Sequence, residues 1–160
     1  MEWDKITNII LITSFIVLGV FVALGIYQWI TRKSLKKVDK NILYMPIPLA
    51  LMAIVYFIFD KLLILNTRPD GSGEPSFPST HAMVVTTIFF LVTLNLNKYV
   101  KSKVLRNVID VVMFILIALT CTGRVLANKH WPIDVIGAIA FAFIFSEIYY
   151  YCIKKKSKYD

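Results

Sequence analysis

The chain is 160 residues long, 58% hydrophobic and only 18% charged, with a formal charge of +8 and two cysteines. That length is one domain (1–160), and the apolar content is too high for a soluble domain of this size. The basic excess does not indicate a nucleic-acid site either. Of the 18 Lys and Arg residues, 13 fall in three clusters, Arg32–Lys40, Lys98–Arg106 and Lys154–Lys158, each at a boundary of an apolar run. This is the pattern of positive-inside topology signals.

In chain order, Ile6 to Ile30 is a charge-free run of 25 residues. It is far longer than a signal-peptide apolar region and has no small-residue cleavage site after it, so it is expected to stay as a first membrane span. Trp3 and Trp29 suit its two interfaces. In the following basic linker, Leu35, Val38 and Ile42 lie at i, i+3 and i+7, which suggests a short helix on the membrane surface. The second span covers about 42–65, with Pro46 and Pro48 in its first turns, where missing amide donors cost little. Asn66 to Pro78, with three prolines and Gly71 and Gly73, reads as a loop without regular structure.

Ser79 or Thr80 opens the third span, which ends near Asn97, with Asn95 and Asn97 read as helix-end polar residues. The fourth span is the shortest apolar run, 111–123, and needs a start near Leu105 to cross a bilayer. The fifth runs from about Trp131 to Ile153, with Pro132 in its first turn. Five crossings put all three basic clusters on the cytoplasmic side and the amino terminus outside. Cys121 and Cys152 then fall near opposite faces, which argues against a disulfide between them, and both read as small buried apolar residues. The expected fold is an all-α, polytopic membrane bundle of five transmembrane helices.

The same topology collects a chemical set at the outer face. Lys61 precedes Arg68-Pro69 by seven residues, Pro78-Ser79-Thr80-His81 opens the third span, and Arg124, His130 and Asp134 bracket the start of the fifth. The chain has two histidines, and both lie in this pattern. Arg68 and Arg124 offer planar forks for a phosphoryl group and Lys61 a mobile charge, while Ser79 and the amides of Thr80 and His81 sit at a helix N-terminus. His130 and Asp134, four apart, suggest a carboxylate that reaches one ring nitrogen and frees the other as nucleophile. His81 then remains as an acid–base group. No metal or other cofactor is required, because three cations around the imidazoles would repel Zn²⁺. Read alone, Lys61 would be a snorkelling side chain; its spacing to Arg68-Pro69 brings it into the set.

Together, Lys61-x6-Arg68-Pro69, Pro78-Ser79-Thr80-His81 and Arg124-x5-His130-x3-Asp134 resemble the three signature motifs of the type 2 phosphatidic acid phosphatase (PAP2) superfamily. The resemblance covers residues 61–134 and implies a membrane lipid phosphatase working through a phosphohistidine. It implies His130 as nucleophile, Asp134 as its partner and His81 as general acid, with Lys61, Arg68, Ser79, Thr80 and Arg124 binding phosphate. Undecaprenyl diphosphate, phosphatidylglycerophosphate, phosphatidate and lipid A phosphate are the substrates the family suggests. The partners expected are therefore a lipid phosphate and the bilayer of a cell membrane.

The lipid headgroup is expected to enter between the loop and the third and fifth helices. The second motif usually has glycine where Thr80 stands, and the third usually begins Ser-Arg where this chain has Gly123-Arg124. Membrane relatives commonly have six spans, and parity makes the first one the span without a counterpart here. A phosphotransferase of the same superfamily and a non-catalytic lipid-binding protein are the rival readings.

Overall fold

The computed structural model describes residues 2–157, with the side chains of residues 155–157 left aside. Lys155, Lys156 and Lys158 of the third basic cluster therefore lie outside the described side chains. Among the described residues the regular elements are helices: α1 (Glu2–Arg32), α2 (Lys40–Tyr44), α3 (Pro46–Phe57), α4 (Thr80–Tyr99), α5 (Lys103–Leu126) and α6 (Pro132–Ser157). Five helical stretches are long and apolar enough to cross a membrane, with α2 and α3 joined into one span by way of Met45. That span ends in a single π-helical turn, Ile58–Leu62.

The bundle is organised around α4, which packs against α6, α5, α1 and α3. Two thirds of its apolar window (67%) is buried, against 11% for α1. Lipid tails are as apolar as leucine side chains, so helices in a bilayer associate through close packing and hydrogen bonds rather than through hydrophobicity. The least apolar of the five spans therefore sits in the middle. α4 carries Thr86, Thr87 and Asn95 inward, all fully buried. Ala82 on α4 and Ala138 and Ala142 on α6 are likewise fully buried, small side chains that let the two backbones approach.

Several local expectations change in three dimensions. The linker forms only a three-residue turn, Leu35–Lys37, before Asp39 leads into α2. Leu35 stays exposed while Val38 and Ile42 turn inward. Ile42 packs so closely on Gly25 that a β-carbon there would meet it at 2.9 Å. Asn95 is no helix-end residue: its side chain bridges the Tyr149 hydroxyl (2.8 Å) and the Asn41 amide (2.7 Å) inside the bundle. The loop is also less irregular than its prolines suggest. Thr67 and Pro75 form an isolated bridge, and Ser76 N–H donates to Asn66 (2.9 Å). Gly71 and Gly73 take the positive φ angles (78° and 74°) that close the turn. Phe77 anchors the loop on α6 by packing against Gly137, in an aromatic cluster with Phe59 and Phe141.

The two ends of the bundle differ in charge. At one end Asp39 pairs with Arg32 (3.3 Å) and Lys98 (3.4 Å), joining the first two basic clusters. At the other end the first turns of α1, α4 and α6 meet the last turn of α5.

Candidate active site

His130 lies in the short connection between α5 and α6 and is only 4% exposed. Its Nδ1–H donates to the backbone carbonyl of Ser76 at 2.9 Å. A carbonyl only accepts, so the ring proton is on Nδ1 and the Nε2 lone pair is left for chemistry. Burial, followed by the nearby Arg124 charge, pushes the His130 pKa down to about 4. The ring is therefore neutral at physiological pH.

Asp134 reaches this ring indirectly. Its Oδ2 is 3.8 Å from His130 Nδ1, beyond hydrogen-bond distance. The carboxylate instead accepts from the Ser76 hydroxyl and from the Trp131 amide at 2.8 Å. The latter is an N-terminal cap contact, which draws the side chain back over the start of α6. The direct bond suggested by the i, i+4 spacing is thus replaced by a relay in which Asp134 holds Ser76 and the Ser76 carbonyl holds His130.

Ser79 precedes α4 as its cap residue, and its amide donates to the Asp134 carbonyl at 3.0 Å, tying the starts of α4 and α6 together. In the first turn of α4, His81 Nε2 lies 2.7 Å from Asn8 Oδ1. Arg124 closes α5 and is 3% exposed; its guanidinium pairs with Asp4 at 2.7 Å and reaches the Thr7 hydroxyl at 3.4 Å. Arg68 pairs through one terminal nitrogen with Glu74, which is well exposed. The loop is fastened from below by Lys129, which donates to Asp70 at 2.9 Å. That hydrogen bond holds the Asp70 carboxyl well below its ordinary range.

A cavity of about 300 Å³ opens here. Arg68, Thr80, His81 and His130 form its polar wall, and Leu11, Phe15, Tyr56 and Val84 its apolar wall. The apolar side belongs to α1, α3 and the next turn of α4. The cavity is thus bounded by the loop (Pro75, Phe77, Pro78), by the start of the third span and by His130 ahead of the fifth, as well as by the first and second spans. Ser79, Arg124 and Asp134 sit behind the polar wall.

Lys61 is not on the cavity wall. It is exposed and pairs with Asp60 at 2.7 Å, and it is Asp60 that lines the cavity. The π turn and the end of the helix at Leu62 cancel the two-turn spacing that would have put Lys61 and Arg68 on one side.

Among the described residues, seven buried side-chain nitrogen or oxygen atoms lack a partner, and four are in this site: Arg68 Nε, Ser79 Oγ, Arg124 Nε and Asp134 Oδ1. Three of these four are donors, and a buried donor left unmade costs about 1–3 kcal/mol. The motif spacing did not reveal Ser76, Asp4, Thr7 or Asn8. Ser76 acts mainly through its backbone carbonyl, which leaves no residue-type signature. The other three lie at the start of a helix whose sequence reads as a membrane anchor.

The two departures from the family pattern have different surroundings. Thr80 faces the cavity. A β-carbon on Gly123 would meet Thr7 Cγ2 at 2.7 Å and the Trp3 ring at 3.2 Å, so α1 occupies the space that a serine side chain would need.

The sequence model of the PAP2 superfamily matches residues 57–158. No curated protein sequence matches the chain. Among solved structures, the fold is similar to the crystal structure of the first transmembrane PAP2 type phosphatidylglycerolphosphate phosphatase from Bacillus subtilis. The TM-score is 0.73 at 17% sequence identity, over 96% of this chain and 76% of that one.

Proposed function

The chain belongs to the PAP2 superfamily, and on that premise we propose that it is an integral membrane phosphatase that hydrolyses a lipid phosphate or lipid diphosphate. The observation that carries this reading is the state of His130: a buried ring, held by Ser76, neutral and with Nε2 unprotonated. Around it, Arg68, Arg124 and Ser79 keep buried donors without protein partners. A phosphate in the cavity would meet the Arg68 guanidinium on its wall, with Arg124 and Ser79 in the layer behind, and such charge-assisted contacts would offset the loss of its hydration.

The lipid tail stays in the bilayer while its phosphate passes between α1 and α3, along Leu11, Phe15 and Tyr56. His130 Nε2 attacks phosphorus as the bond to the leaving oxygen breaks, and His81 supplies the proton that oxygen needs. In the second half, His81 takes a proton from water as water displaces His130 from the phosphoryl group. Asp134, through Ser76, keeps the His130 ring aligned through both halves. The joining of Arg32, Asp39 and Lys98 at the opposite end supports a site on the outer face, with the basic end cytoplasmic.

The test is phosphate release from a panel of lipid phosphates by the purified protein in detergent, with His130→Ala alongside. Release that His130→Ala removes is the expected result. Equal release by both proteins, or none from any substrate, overturns the reading. For the face, a cysteine at Ser72 should react with a membrane-impermeant reagent from outside and one at Lys37 should not; the reverse pattern moves the site inside.

A further inference from the structure

The first helix lies outside the residues matched by the family, 57–158, yet it is locked into the site at three points. Asp4 pairs with the buried Arg124 at 2.7 Å. Thr7, fully buried, fills the space left by Gly123. One residue on, Asn8 Oδ1 is 2.7 Å from His81 Nε2. Residues 4, 7, 8, 11 and 15 share one face of α1, and Leu11 and Phe15 continue that face as the cavity wall. The helix is therefore not free to slide or turn about Asn8, and the amide is presented to the ring by an interlocked element.

The consequence is a specific placement of protons. The Asn8 oxygen can only accept, so His81 carries a hydrogen on Nε2 whether the ring is charged or neutral. The exchangeable proton is then the one on Nδ1. We propose that Asn8 is a positioning residue of this centre, whose amide oxygen keeps Nε2–H in place so that His81 gives and takes its proton through Nδ1. This rests on the reading of His81 as the proton donor given above.

In the first half-reaction the His130 Nε2 lone pair bonds to phosphorus, the phosphorus–oxygen bond breaks, and its electron pair takes the proton from His81 Nδ1. In the second, the water oxygen bonds to phosphorus, the phosphorus–nitrogen bond breaks, and a water proton returns to Nδ1. Asn8 keeps the ring orientation constant between the two and is itself unchanged.

With only two histidines in the chain, imidazole ¹⁵N spectra in detergent, assigned with His130→Gln, report the placement directly and need no turnover. At a pH where both rings are neutral, His81 is expected with its proton on Nε2 and His130 with its proton on Nδ1. Asn8→Ala should let the His81 signal shift toward a mixture of tautomers. In kinetics, Asn8→Ala should lower phosphoenzyme formation from a lipid phosphate about tenfold, part of the ~10²–10⁴-fold a general acid supplies. With nitrophenyl phosphate, whose leaving group needs little help, the loss should be much smaller; Asn8→Asp, which keeps an acceptor oxygen, should restore most of the lipid rate.

A His81 proton on Nδ1, a spectrum indifferent to Asn8→Ala, or equal losses with both substrates would overturn the proposal while leaving the phosphatase reading intact. Absence of any phosphate release that depends on His130 would overturn the phosphatase reading and the catalytic role of Asn8 together, and the spectra would still show whether the contact exists.

Discussion

Two buried polar clusters sit at opposite ends of α4, and they are finished differently. Near the basic end, Asn41, Asn95 and Tyr149 satisfy one another: Asn95 donates to the Tyr149 hydroxyl and the Leu91 carbonyl, and Tyr149 donates to the Asn41 carbonyl. At the other end, Ser79 and Arg124 are buried and Arg68 is half-buried, each with a buried donor unpaired, and two histidines each have one nitrogen tied to a neutral acceptor. Both clusters are polar groups in an apolar bundle, but only the second is incomplete by itself. A closed network locks α2, α4 and α6 in register; an open, cation-rich one is shaped for a ligand that brings negative charge.

The strongest way to break this comparison is to remove the nucleophile. His130→Ala should abolish both turnover and any trapped phosphoenzyme, measured with ³²P-labelled substrate. A phosphoenzyme that survives in His130→Ala and disappears in His81→Ala would exchange the two roles. Next in size, His81→Ala should slow cleavage of a lipid phosphate by about 10²–10⁴-fold. Phosphoenzyme formation from nitrophenyl phosphate should recover in His81→Ala, though its hydrolysis should remain slow because no base activates water.

Smaller effects sharpen the structural side. Gly123→Ser should force α1 away through its clash with Thr7 and destabilise the protein by about 1–3 kcal/mol, the usual cost of overpacking. Thr7→Ala on that background should recover part of the loss, since the nearest clashing atom is then gone; no recovery in thermal unfolding would show that the Thr7 contact is unimportant. Asn95→Ala should cost about 1–2 kcal/mol, as for interhelical hydrogen bonds in membranes, with turnover per folded molecule unchanged. A fall in turnover matching that of a site variant would mean that the closed network is part of the chemistry after all.

The remaining prediction concerns pH dependence. The His130 pKa of about 4 lies below its ordinary 6.5, so protonation favours the unfolded chain. The stability this ring contributes is complete above about 6.5 and is lost as the pH falls toward 4. An imidazole titration of His130 with a midpoint near 4 is the expected observation. A midpoint at 6.5 or above would show that the ring is not desolvated as its burial implies.

Sequence alone determined the class and the number of spans, because a run without charges long enough to cross a bilayer has few other fates. Motif order also singled out His81, Arg124, His130 and Asp134 before any contact was known, since charged and imidazole groups near membrane spans are too costly to be incidental. Which of these groups touch was decided only by the tertiary structure. Asp134 bonds Ser76 rather than His130, because the cap of α6 turns its carboxylate. Lys61 lies off the cavity wall, exposed and paired with Asp60 in the π turn where its helix ends. Helical spacing assumes an unbroken helix and an outstretched side chain, and both assumptions fail where helices end. The part played by α1 was beyond the reach of any motif. Asp4, Thr7 and Asn8 meet Arg124, Gly123 and His81 across more than 70 positions of chain, and only the packing of α1 beside α4 and α5 brings them within bonding distance.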